Sequence, residues 1–108
     1  MLVSNAGFAD RRAIGVVDRA GWDASLASMT TAFFELVTAA KPWLLKSGRQ
    51  GRVVGVSSFV AHAFARGLMT FPASAAAKAG VEALSRALAA DLAPAGVTVN
   101  CVAPGFIE

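Results

Sequence analysis

Few side chains in this chain could do chemistry, and one stretch holds two of them. Lys78 is the only charged residue between Arg66 and Glu82, in a run of alanines, and Ser74 precedes it by four positions. Residues four apart share one face of a helix, so a hydroxyl and an ammonium would point into the same space. The bland alternatives are a lysine whose head reaches water and a serine that caps the start of a helix. A second pair, Ser57-Ser58, follows a β-branched run, and hydroxyls at the carboxyl end of such a strand sit where open α/β sheets bind ligands. His62 is the only histidine. Histidine exchanges protons near neutral pH, which suits acid–base work as readily as an ordinary loop position. Cys101, the one cysteine, excludes an internal disulfide and reads best as a small buried apolar residue in a reducing compartment.

The elements that must position these groups alternate. A short apolar run at residues 1–4 is broken by Asn5-Ala6-Gly7, a strand ending in a turn. Residues 8–20 show no sustained period and read as loop, with room for a short helix. From residue 22 to about 46, apolar residues recur at three- and four-residue spacing (Trp22, Leu26, Met29, Phe33, Leu36, Val37, Leu44), an amphipathic helix that Pro42 should kink or end. Residues 52–57 form a second strand whose unbroken apolar character suits cover on both faces. A loop leads to a helix over residues 72–92, ended by Pro94 and Gly96, and residues 97–102 form a third strand stopped by Pro104-Gly105.

Strand–helix–strand–helix–strand with long crossovers implies an α/β fold of three parallel strands. Right-handed connections place both long helices on one face. Nothing in the chain covers the other face, so residues 1–108 read as a single partial domain, a piece of a larger α/β unit in which Met1 need not be the start. In isolation such a piece should be marginal or should aggregate. The hydrophobic fraction is 56% and the formal charge +3, with the ten Lys and Arg residues scattered. Without a basic run interleaved with aromatics, nucleic-acid binding is not expected. No stretch is long enough to span a bilayer and no signal peptide is evident, so a cytoplasmic protein without membrane association is the expectation.

Taken in order, Asn5-Ala6-Gly7, Val56-Ser57-Ser58, Lys78 and the run Val99-Asn100-Cys101-Val102-Ala103-Pro104-Gly105 resemble the short-chain dehydrogenases/reductases. The resemblance covers essentially the whole chain. It implies the second half of a doubly wound Rossmann domain that binds NAD or NADP; the glycine-rich turn for the cofactor phosphates belongs to the family's other half, and no G-x-G-x-x-G occurs here. By the same resemblance Asn5, Ala6 and Gly7 floor the cofactor cleft, and Ser58, with Ser57 as the alternative, holds the substrate oxygen. Lys78 holds the nicotinamide ribose, and Pro104 and Gly105 turn the chain beside the nicotinamide. A carbonyl or alcohol would be the substrate, and the two long helices would build a homo-oligomer, which the alanine-rich face of the second supports.

Two positions depart from the family pattern. The family's acid is a tyrosine four residues before the lysine, whose phenol a neighbouring ammonium tunes toward neutrality. Here that place is Ser74, and the chain contains no tyrosine. The family's relay asparagine falls on Met29, whose thioether has no proton to pass. The loop between the serine pair and the helix is also longer than usual, and His62 within it is a candidate replacement for the missing acid. The expected function is hydride transfer between nicotinamide and a carbonyl or alcohol. The alternative is a catalytically impaired pseudoenzyme that binds cofactor or assembles.

Overall fold

The computed structural model describes residues 1–105. Its three strands, β1 (Leu2–Ser4), β2 (Arg52–Val56) and β3 (Thr98–Val102), form one sheet in the order β1-β2-β3. All pairing is parallel, with Val53 beside Leu2 on one side and Val99 on the other. The connections are helical. One helical run comprises α1 (Arg19–Leu26), a single π-turn (Ala27–Thr31) and α2 (Ala32–Ser47); the other is α3 (Pro72–Leu92).

The period-2 geometry of the strands splits the sheet into two unlike faces. Val53, Gly55 and Val99 turn toward the helices and are buried, together with Phe33, Val37 and Leu44 of α2 and Val81 and Leu92 of α3. That single cluster confirms that both long helices lie on one side. Phe33 is wholly buried, and burying a side chain of that size stabilises by roughly 1.5–3 kcal/mol. On the opposite face Val3 and Val102 are exposed and Val54 and Val56 only partly covered. Among the described residues, therefore, the cover on both faces expected for β2 is missing on this side.

Local chemistry sets the helix ends. The first helix begins at Arg19, three residues before the apolar period starts, because the Asp18 carboxylate accepts from the backbone N–H of Gly21 at 2.8 Å. Pro42 neither ends nor interrupts α2, which runs on to Ser47. The residue four before it, Thr38, is exposed, so the carbonyl deprived of its helical partner can bond to water. Gly48, at φ +53, closes the helix. Gly55 is where β2 meets α2 and α3 most closely: a Cβ there would lie 3.0 Å from Ser85 Oγ and 3.2 Å from Phe33 Cε2.

Candidate active site

Past the carboxyl ends of β1 and β2 lies a cleft of about 300 Å³. The turn after β1 contributes Asn5 and Gly7, the end of β2 contributes Ser57 and Ser58, α3 contributes Ser74 and Lys78, and Pro104 comes from the turn after β3. Phe8, Ala9, Val56 and Val60 complete the apolar part of the wall. Three separate strand ends thus converge because parallel strands all point their carboxyl ends the same way.

Lys78 is half-buried, with its head turned back onto the sheet. Its Nζ donates to the Val56 carbonyl oxygen at 2.7 Å. A Cβ placed on Gly7 would lie 3.4 Å from that Nζ and 3.1 Å from the Met29 sulfur, so the glycine leaves room for lysine and methionine to meet. No carboxylate pairs with Lys78 among the described residues, and burial pushes its pKa below that of an ordinary lysine. Among the described residues it is also the only titratable side chain lining the cleft.

Ser74 is buried at the third position of α3, but it does not cap the helix. Its Oγ accepts from the backbone N–H of Asp10 at 2.9 Å and sits 3.5 Å from the Phe8 carbonyl oxygen, which ties the loop after β1 onto α3. The helix start uses Pro72 in its first turn instead, without a side-chain cap. The Asp10 carboxylate is held in turn by Arg12, through two side-chain bonds at 2.9 and 2.7 Å and a backbone bond. Those hydrogen bonds from Arg12 lower the Asp10 pKa. Ser58 accepts a long bond, 3.4 Å, from the Val60 N–H as the strand turns into the short helical turn Phe59–Ala61.

Met29 lies in the π-turn and is buried against the cleft. The extra residue of that turn also seats Thr30, whose hydroxyl donates to the Ala77 carbonyl oxygen at 2.7 Å. The regular apolar spacing through Leu26, Met29 and Phe33 carried no sign of the turn.

Not every expected residue is at the cleft. Ala6 and Gly105 belong to the converging turns but do not line it. His62 lies elsewhere: its Nε2 contacts Glu82 at 2.7 Å, and both residues line a neighbouring cavity of about 340 Å³ with Arg86 and Cys101. Glu82, which also accepts from Ser57, was missed by the motif reading. The signal was present in its spacing, four residues beyond Lys78 on the same helix face.

Comparison with known proteins agrees with this geometry. The family model described as enoyl-(acyl carrier protein) reductase matches residues 1–108. The nodulation protein G of Azospirillum brasilense is 37% identical over 107 residues, covering 99% of this chain and 42% of that protein. The 3-oxoacyl-(acyl-carrier-protein) reductase FabG of Vibrio cholerae is 37% identical over 108 residues, 100% of this chain and 43% of its own length. Among solved structures, an oxidoreductase of the short-chain dehydrogenase/reductase family from Burkholderia thailandensis superposes with a TM-score of 0.86 at 33% identity, over 99% of this chain and 40% of that one. A short chain dehydrogenase from Mycobacterium smegmatis gives 0.85 at 29% identity, over 99% and 43%. The chain therefore spans less than half the length of the relatives it matches. With the family model matching end to end and the fold shared, the chain belongs to the short-chain dehydrogenase/reductase family of oxidoreductases.

Proposed function

We propose that the protein carrying this chain transfers hydride between NAD or NADP and a small carbonyl or alcohol substrate, and that the cleft at Lys78 is the nicotinamide end of its site. The observation that carries this reading is a half-buried ammonium without a counter-ion among the described residues, sharing one cleft with paired serines at the carboxyl edge of a parallel sheet. A cleft of about 300 Å³ is at the lower end of small-molecule sites and suits a nicotinamide-ribose half rather than a whole dinucleotide.

The donor set fits that group. Lys78 spends one N–H on Val56 and keeps others for ribose hydroxyls, whose oxygens accept well from an ammonium. Asn5, Gly7 and Pro104 bound the space around the ring, with Ala6 and Gly105 setting the turns that carry them. When bound, the nicotinamide supplies or accepts the hydride. Ser58 can donate its hydroxyl hydrogen to the substrate oxygen, since in its bond with the Val60 N–H it only accepts. Ser74 and His62 are poorly placed to supply the proton: the first is engaged by backbone groups and the second lies outside the cleft. Lys78, with its pKa lowered by burial, is the group that can exchange a proton with a substrate oxygen, directly or through one water.

Assembly and location follow as further parts of the proposal. Exposed Phe34 and Leu45 flank the buried stripe of α2 on one side and exposed Leu36 and Trp43 on the other, and a second copy could cover either strip, in keeping with a homo-oligomer through the long helices. Among the described residues no helix is long and apolar enough to cross a membrane. Cys101 is a free thiol, which suits a reducing cytoplasm.

The test is fluorescence titration of the full-length protein with NADH and with NADPH. Removing a charge-assisted hydrogen bond by Lys78→Met should weaken the better cofactor by about 10-fold or more. Equal affinity in the variant would overturn the assignment.

A further inference from the structure

The serine pair is tied to α3 by a carboxylate that the motif pattern does not include. Ser57, buried just past β2, donates its hydroxyl hydrogen to Glu82 Oε1. His62 reaches the same oxygen from the loop beyond, its Nε2 at 2.7 Å. A carboxylate oxygen can only accept, so the imidazole donates. The Glu82 side chain is 14% exposed and that of His62 59%, so the oxygen is sheltered while the ring beside it reaches solvent. Ser58 and the turn Phe59–Ala61 lie between the two tied positions, and Lys78 is one helical turn before Glu82 on α3.

We propose that Glu82 is a positioning residue, whose carboxylate clamps Ser57 and His62 to α3 and thereby fixes Ser58 and the turn after it against the face of the cleft that bears Lys78. The clamp matters to the reaction only if the nicotinamide reading of the cleft holds, but it can be observed without any cofactor.

The groups facing Glu82 come from every element around it: Ser57 from the end of β2, His62 from the loop, Arg86 from α3, and Cys101 from β3. Burial by itself would raise the carboxyl's pKa. Hydrogen bonds from Ser57 and His62, with the charges of His62 and Arg86, outweigh burial and hold it below the ordinary glutamate value of 4.5. The ionised clamp is therefore intact above that value and opens as pH falls through the lower value of the folded state.

Amide hydrogen exchange on the full-length protein reads the clamp directly. The N–H groups of Ala61, His62 and Ala63 bond to Ser58 and Phe59 carbonyls within the clamped turn. Their protection factors should fall by about 5–10-fold as the clamp opens in acid, the effect of losing one charge-assisted bond. Glu82→Ala should show that loss already at neutral pH. Glu82→Gln, which still offers an oxygen to Ser57 and His62, should keep most of the neutral protection and lose the acid step. The proposal is overturned if Glu82→Ala leaves these three amides unchanged, or if the acid step persists in Glu82→Gln. It is equally overturned if the core amides of Val53 and Val99 lose protection in step, which would mean a general loss of stability. Because no nicotinamide is present, the result is independent of the Lys78 titration.

Discussion

Replacing Ser74 with alanine separates a structural hydroxyl from a chemical one. The side chain is buried, and its oxygen is the acceptor for the N–H of Asp10, a residue that is itself buried and 64 positions away. Alanine removes that acceptor and leaves a buried donor unpaired, which costs about 1–3 kcal/mol. The gain from alanine's better helix propensity is about half a kcal/mol, so the net loss should be about 0.5–2.5 kcal/mol. With a urea m-value of about 2 kcal/mol per molar, ordinary for a small protein, the unfolding midpoint should drop by about 0.3–1.2 M at unchanged m. Urea titration followed by far-UV circular dichroism reads this without substrate or cofactor. The loop after β1, now held to α3 less firmly, should also become easier to cleave with protease. Suppose instead that the midpoint moved by less than about 0.2 M while turnover collapsed. The hydroxyl would then act on substrate, and the reasoning that assigns it to the Asp10 loop would be refuted.

Two further outcomes test the scaffold. Gly55→Ala places a methyl 3.0 Å from Ser85 Oγ, 3.1 Å from Val81 Cγ1 and 3.2 Å from Phe33 Cε2, so three packed side chains must each give by a few tenths of an ångström. It should destabilise by about 1–3 kcal/mol in thermal unfolding, and an unchanged melting temperature would contradict the packing described. Asp10 and Glu82 both have folded-state pKa values below their ordinary ones. Their contributions are complete above the ordinary carboxylate range and disappear as pH falls through the lowered values. The double variant Asp10→Asn, Glu82→Gln should therefore flatten the acid limb of a stability–pH curve, and an equally steep limb in the variant would assign acid unfolding to other groups.

The three-strand parallel order was legible because β-branched runs and long amphipathic spacing leave few alternatives. Val53, Val54 and Val56 can satisfy their side chains only in a sheet covered at least on one face, and helices of this length force parallel crossovers. The lone ammonium of the apolar helix left two readings open, and it was the family resemblance that pointed Lys78 toward the cleft it lines. Helix boundaries were less legible. Asp18 starts the first helix by a hydrogen bond that apolar periodicity does not register. Pro42 stays within α2 because its unpaired carbonyl partner faces solvent, a fact of orientation rather than composition.

What the sequence determined by itself is the pattern of burial, the strand–helix alternation and the residue types available at the cleft, since these depend on local propensity and spacing. Tertiary structure alone decided the partners. Ser74 could have capped its helix, but folding brought the N–H of Asp10 within 2.9 Å of it. His62 could have entered the cleft, but the side chain of Glu82, twenty residues on, drew it to the neighbouring cavity. Hydrogen bonds reach only about 3 Å, so which of several capable groups meet is settled by packing over the whole chain, beyond anything neighbouring residues can encode.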